Sequence, residues 1–456
     1  MQRLLFILIS LLLFSLATRA QNNERVRFFN AEVYRLSLQE KWDSVLYYCQ
    51  LADQEGIDSY ELTYSKGKAY YAKSMYRIAY QSFLDAASLT DPGSDLKSYL
   101  YYSAKFSGIN SAERFWRLSM SCSERQKFHC GKFPVVENIS AGTSFIFSNN
   151  TDKNGTALFF PPEPIVFDSS NIRLTGDIRN NNISAGLGLF KRMGLFLSFN
   201  ETETEDLFRL AYIEYAGAPL SYANFPSETK QNSVYIALPV LLGKSTSFVP
   251  AFHSLKVQTK SIHEGSSAGE AVIADTAFSE FVSSAAISVE RSKSGRTFAV
   301  SWSKLCNQNQ FQFSFVNTWY PGYNLNRYRS LSLVVQSDGG YPGFAAGFLS
   351  GWKLTDFLWL ESSLRLGKLS DFNDFNGYTV YNNGDVRLAL LQLNPVVLIG
   401  SGFSFSLIGS LSVNKLPVVL SDGSTGTGMG RWNQSSGNIN TNYYQLNLTG
   451  SLIWKL

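Results

Sequence analysis

The chain has few residues of the kinds that make chemical sites. It has three histidines in 456 residues, His129, His253 and His263, too few and too scattered for a metal cluster, and each reads as a surface or loop residue. It has four cysteines, Cys49, Cys122, Cys130 and Cys306, and no CxxC motif. Charge of either sign is not in excess, with Lys+Arg 40 against Asp+Glu 36, so no basic stripe or acidic tail points to nucleic acid. Charged residues are only 17% of the chain while aromatics reach 14%, an unusual balance for a soluble protein. After the first twenty residues there is no second apolar run of about eighteen residues, which excludes a further helical membrane span.

That first segment, Met1-Gln2-Arg3 followed by LLFILISLLLFSL and small residues up to Ala20, has the cationic start, short apolar core and cleavage-site character of a secretory signal peptide over residues 1–20. Export would permit Cys122 and Cys130, eight apart in SCSERQKFHC, to pair or to stay free. Cys49 and Cys306 read as small buried or half-buried residues.

Two parts of different period follow. Residues 21–120 are helical in pattern. A displacement of 34 residues superposes Phe29 on Thr63, Val33 on Gly67, Leu36 on Tyr70, Val45 on Ala79, Cys49 on Phe83 and Ala52 on Ala86. Gly67 and Tyr70 on one helix, Ala79, Phe83 and Ala86 on the next, and Asp91-Pro92 after them resemble the tetratricopeptide repeat. The resemblance implies helix pairs stacked into a partner-binding scaffold. A third copy, Leu96 to Phe106 and Ser111 to Met120, reads as a capping pair with a shorter connection, Ala112 and Trp116 lying near the expected places. The alternative is a helical plug or spacer that binds nothing. A linker is expected over 121–136.

From residue 137 the period is two. Gln310 to Phe315 reads QFQFSF, and the same alternation runs through Phe298, Val300 and Trp302; Leu331, Leu333 and Val335; Leu358, Leu360, Leu364 and Leu366; and Phe403, Phe405, Leu407, Leu411 and Val413. The closing segment YQLNLTGSLIWKL places Tyr444, Leu446, Leu448, Leu452, Trp454 and Leu456 on one face, with Gly450 in step. Periodicity alone does not separate a sandwich from a barrel. Connection lengths favour a barrel: brief ones at Asn180–Asn182, Ser292–Gly295, Lys353–Asp356 and Asn394-Pro395 alternate with long ones at 149–169, 217–231, 259–280, 367–384 and 414–442. The segments, from 138–148 to 443–456 and including 170–179 with 183–190 and 193–200 with 207–216, number sixteen, with fourteen as the alternative count. The fold class is thus α+β multidomain: tetratricopeptide-like helices, then an antiparallel transmembrane β-barrel over 137–456. Both ends of the barrel lie on the short-turn side.

The acidic run Glu201 to Asp206 (ETETED) reads as a solvated turn on that side, and Trp319, Tyr320, Tyr323 and Tyr328 as an aromatic girdle at the inner membrane boundary. His263-Glu264 among serines, and the glycines of GSTGTGMGRW (423–432), do not assemble into a catalytic or phosphate-binding set, since the latter lacks a following helix. No enzyme, catalytic residue, metal site or cofactor is predicted.

The order of signal peptide, helical repeats and barrel resembles bacterial outer-membrane proteins that join a periplasmic tetratricopeptide domain to a carboxyl-terminal barrel, polysaccharide-export porins among them. The composition is Bacteroidetes-like. Gly450, Trp454 and Leu456 resemble the terminal pattern read by the barrel assembly machinery, with Leu456 in place of the usual aromatic. The resemblance implies an outer-membrane location with the helical domain in the periplasm. The implied partners are outer-membrane lipid, a periplasmic protein and the assembly machinery, and the implied role lies in transport, secretion or envelope assembly. The alternative is a plugged barrel that anchors or adheres through its long outer loops.

Overall fold

The computed structural model describes residues 24–130, 135–154, 169–212, 221–264, 271–306, 308–337, 342–374, 376–382, 384–400, 402–416 and 441–455. The first part is helical: α1 (24–38), α2 (Trp42–Gln54), α3 (Tyr60–Ala72), α4 (Tyr76–Leu89), α5 (Ser94–Phe106), α6 (Asn110–Ser119) and the short α7 (Cys122–Lys127). The segment read as a linker therefore carries a helix, started by a capping box between Ser121 and Glu124.

Connections of three residues fold α1 back on α2, α3 on α4 and α5 on α6. Each connection contains one residue in the left-handed region: Glu40 (φ 54°), Ser74 (φ 58°) and Gly108 (φ 71°), spaced thirty-four residues apart. The same backbone bond closes each turn, from Lys41 to Leu36, Met75 to Tyr70 and Ile109 to Ala104. The third copy is thus a full helix pair with the same turn, not a pair with a shortened connection. Glycine occupies only the last of the three strained positions, so composition did not expose the repeat of the turn.

Within the pairs, the superposed positions Phe29, Val33, Leu36, Val45, Cys49, Ala52, Ala79, Phe83 and Ala86 are all buried. A Cβ added to Gly67 would lie 2.5 Å from Cε1 of Phe83, so only glycine lets the Phe83 ring seat between α3 and α4. Ala112 and Trp116 are buried at the equivalent place in the third pair.

The second part is a closed antiparallel barrel of fourteen strands: β1 (Val136–Ser148), β2 (Ser169–Phe190), β3 (Met193–Tyr212), β4 (Ser221–Ala237), β5 (Thr246–Glu264), β6 (Ala271–Glu290), β7 (Ser294–Leu305), β8 (Gln308–Trp319), β9 (Arg327–Ser337), β10 (Gly343–Lys353), β11 (Leu358–Ser370), β12 (Val386–Ile399), β13 (Phe403–Lys415) and β14 (Asn442–Lys455). Closure is made by β14 against β1, in register from Asn138 opposite Lys455 to Ser148 opposite Gln445.

The count is fourteen rather than sixteen because two polar runs are strand. Asn180–Asn182 pairs with Glu201–Thr202 and Asn200 in the middle of β2 and β3. The run Glu201–Asp206 likewise lies within β3, paired on its other side with 227–232 of β4, and is no turn. Asn394 and Pro395 are inside β12, opposite Glu361 and Leu360 of β11. Strand β4 also extends into the segment read as a long loop at 217–231, and β5 and β6 into that at 259–280.

The wall is apolar outside and polar inside. Phe298, Val300, Trp302, Phe311, Phe313, Leu331, Val335, Leu364, Leu366, Leu446, Leu448 and Leu452 are exposed on the outer face, while Ser301, Gln312, Ser330, Gln336, Ser406, Ser410 and Gln445 are buried on the inner one. A continuous exposed apolar belt on a closed sheet is stable only against lipid. On β3 the belt ends between Phe199 and Glu201, so Glu201, Glu203 and Glu205 continue the outward face beyond it. Among the described residues no helix is long and apolar enough to cross a membrane.

Candidate functional site

Two features occupy the openings of this barrel: a hairpin inside it and the helical domain fixed to its rim. Residues 371–385 connect β11 to β12, and Asn373–Asp374 pairs with Thr379–Val380 as a miniature ladder. This connection folds inward. Strands β4 and β5 stand half a turn of the ring away from β11 and β12, yet the tip of the hairpin bonds to them. The Asn376 carbonyl accepts from Tyr235 Oη at 3.2 Å and from Ser284 Oγ at 2.6 Å, and Asn376 Nδ2 donates to the Val249 carbonyl at 2.9 Å. The hairpin therefore spans the lumen. It also runs deep, since Tyr235 is two residues and Val249 three from the short-turn ends of their strands.

His253 is part of this contact. Its Nδ1–H donates to the Gly377 carbonyl at 2.8 Å, and its ring meets Tyr235 edge-on at 5.5 Å. It is buried in the lumen, not at a surface or in a loop as expected. Gly377 has φ +81° and sits against Val282 and Ser284, a turn that a side chain would strain. Tyr378 packs on Tyr235 (5.2 Å) and Phe196 (5.7 Å), and its hydroxyl accepts from Asn182 Nδ2 at 3.0 Å. Along its length Asn373 donates to Ser301 Oγ (2.9 Å), its carbonyl accepts from Gln312 Nε2 (2.6 Å), and Asp374 pairs with Arg365. The gap left beside Asn373 and Asp374 is about 20 Å³, water-sized.

The roots of the hairpin are held beyond the lipid belt. Asp385 accepts from Tyr443 Oη at 2.6 Å and from Thr175 Oγ1 at 3.1 Å. Burial pushes its carboxyl up to about 7, against the lowering effect of those two bonds and of Arg173, with Asp371 adding to the rise. Asp371 accepts from the Gly384 N–H (2.8 Å), and the single Cys306 S–H lies within reach of both the Asp371 carboxylate (3.3 Å) and the Asn382 carbonyl (3.2 Å).

On the opposite side, the helical domain is clamped to the short turns. Arg77 at the start of α4 is 2% exposed. Its guanidinium pairs with Glu290, donates to the carbonyls of Arg291 (3.0 Å) and Ser107 (3.2 Å), and stacks 3.7 Å from the Tyr320 ring. The Arg77 N–H donates to the Tyr323 carbonyl at 2.8 Å. Tyr80 Oη donates to the Lys244 carbonyl at 2.7 Å and accepts from Trp116 Nε1 at 3.2 Å. On α6, Arg114 pairs with Glu137 of β1 (Nε to Oε1 2.7 Å), and Lys191 and Arg192 lie over the Phe115 ring. Glu137 belongs to β1 and Tyr320 follows β8, seven places apart in a ring of fourteen. The domain thus touches opposite sides of the short-turn mouth.

Of the aromatics read as a girdle, Trp319 alone is exposed on the outer face; Tyr320 lies under Arg77 and Tyr328 bonds Glu361 inside. His129 is exposed. His263 lies in β5, paired with Val272, rather than in a loop. All four cysteines are free, with Cys49 and Cys130 buried and Cys122 exposed. Residues 1–23, which hold the expected signal peptide, the glycines of 423–432 and Leu456 lie outside the described residues. Among the described residues no His, Cys, Asp and Glu cluster could hold a metal ion. The hairpin gave no signal in the sequence beyond its length, because residues that bond the lumen are the same ones that make ordinary loops.

The architecture is therefore that of a transmembrane-type β-barrel, closed by antiparallel strands under an apolar outer belt and preceded by a helical domain. No protein-family model matches the sequence and no curated protein matches it. Among solved structures, the translocator domain of autotransporter NalP from Neisseria meningitidis is 8% identical with TM-score 0.31, covering 77% of this chain and 99% of that one. A Pseudomonas aeruginosa FadL homologue is 10% identical with TM-score 0.37, covering 70% and 90%. CdiB from Acinetobacter baumannii is 8% identical with TM-score 0.33, covering 70% and 60%. At these values the likeness carries no functional argument, and the assignment of the fold rests on the strand pairing itself.

Proposed function

We propose that this chain is an outer-membrane protein whose helical domain stands in the periplasm as a tetratricopeptide-like scaffold for a protein partner, and whose barrel rests closed until the hairpin 371–385 moves. Its role lies in transport, secretion or envelope assembly. The observation that carries this reading is the hairpin crossing from β11–β12 to Tyr235 and Val249, while the helical domain is fixed across the other mouth. A partner bound to the domain is then held beside the inner rim. The thirty-four-residue recurrence of Glu40, Ser74 and Gly108 supports the repeat assignment.

The closure is made mostly of single hydrogen bonds to serine, asparagine and glutamine, a kind of contact worth about 1 kcal/mol each in net terms, which suits a part that moves. The second reading, a permanently plugged anchor, is favoured by the largely enclosed Arg365–Asp374 ion pair. Sidedness is tested by epitope tags on intact cells. Tags at Gly269 and Gly426 are expected to bind antibody and one at Lys293 is not; the reverse pattern overturns the orientation.

A further inference from the structure

We propose that the outer wall of β7–β9, at the short-turn edge of the apolar belt, binds the phosphate headgroup of an anionic phospholipid from the adjoining leaflet. The proposal rests on the membrane reading above and adds a site to it. Arg296 of β7 and Arg329 of β9 are exposed and in phase with the lipid-facing residues, Arg296 with Phe298 and Val300, Arg329 with Leu331. Between them runs β8, which places Asn317 beside Arg296 and Trp319 beside Arg329. Neighbouring strands are about 4.8 Å apart and the two arginines are staggered by two residues along them, so their backbones lie about 12 Å apart on one face, within reach of each other's long side chains across a phosphate.

The chemistry of that gap is specific. Trp319 is 41% exposed, and an indole at a belt edge sits at headgroup level. Directly above, Phe298 and Phe315 (rings 4.9 Å apart) begin the surface an acyl chain would cover. Arg327, Arg291 and Lys293 are exposed beside the site. None of these cations has an ion pair among the described residues, and the neighbouring carboxylate, Glu290, is committed to Arg77. Guanidinium groups favour phosphate through paired N–H donors, and a cationic cluster at a bilayer surface draws anionic lipid.

The test uses the full chain reconstituted in nanodiscs of phosphatidylcholine containing a minority of phosphatidylglycerol, followed by native mass spectrometry of the lipid that stays bound. Several-fold enrichment of phosphatidylglycerol over the bulk ratio is expected. Arg296→Gln with Arg329→Gln is expected to return it to the bulk ratio, and Arg296→Lys with Arg329→Lys to keep part of it. Heat-modifiable mobility on a gel shows that each variant is a folded barrel. A bulk ratio in the wild type, or enrichment unchanged in the glutamine pair, overturns the site. Failure to enter phosphatidylcholine bilayers of any kind would instead overturn the membrane reading.

Discussion

The guanidinium of Arg77 lies 3.7 Å from the ring of Tyr320, joining the second helix pair to the turn that follows β8. The contact is enclosed: burial raises the Tyr320 hydroxyl above its ordinary range, with the Arg77 charge opposing the rise. Around it converge Glu290 and the Arg291 carbonyl on the guanidinium and the Tyr323 carbonyl on the backbone N–H, so one buried residue joins two turns of the rim.

Loss of that side chain is expected to free the domain without opening the barrel. Arg77→Ala leaves Glu290 without its partner and removes the stack, a change on the order of 3 kcal/mol for a largely buried pair. Limited proteolysis in detergent should then cut between residues 127 and 136 many times faster than in the wild type, while heat-modifiable mobility persists. Equal cleavage of both proteins would show that the clamp does not hold the domain.

Thiol chemistry should follow burial. Burial pushes the Cys49 thiol up to about 12, and Cys130 is raised for the same reason. At pH 8 a maleimide is expected to label Cys122 rapidly and Cys49 and Cys130 only after denaturation, read by peptide mass spectrometry. Protection of Cys122 together with Cys130 until a reductant is added would mean that they pair.

The hairpin root should respond to pH. Asp385 keeps its proton up to about 7 in the folded chain against an ordinary value of 3.8. Between those values the native state holds a proton that the unfolded state has lost, so this group's contribution makes stability fall as pH rises from about 4 to about 7. The midpoint of urea unfolding in detergent, compared between wild type and Asp385→Asn, should show that slope in the wild type alone. A difference between the two proteins that grows in the opposite direction would contradict the burial of this carboxyl.

Much of this architecture was legible because burial has a period. The outward faces Phe311, Phe313 and Phe315 and the repeat positions Gly67, Ala79 and Phe83 follow from spacing alone. Strand ends were less legible where a polar run continues a strand beyond the lipid. Asn180–Asn182 and Glu201–Asp206 have turn-like composition, but neighbours in register hold them extended, as Lys230 does opposite Glu203. The lumen contact of His253 with Gly377 was not legible at all, because it joins residues 124 positions apart through a loop that returns into the barrel. The rim clamp was hidden for the same reason, Arg77 and Glu290 being 213 residues apart.

Planar-bilayer conductance tests the closed barrel most directly. The full chain is expected to show almost no current, and the chain with residues 372–384 replaced by a short glycine-serine link is expected to show stable open events. A wild type that conducts as well as the deletion variant would contradict closure by the hairpin. If the deletion variant stays silent even when residues 21–133 are also removed, the barrel is no conduit and the anchor reading stands.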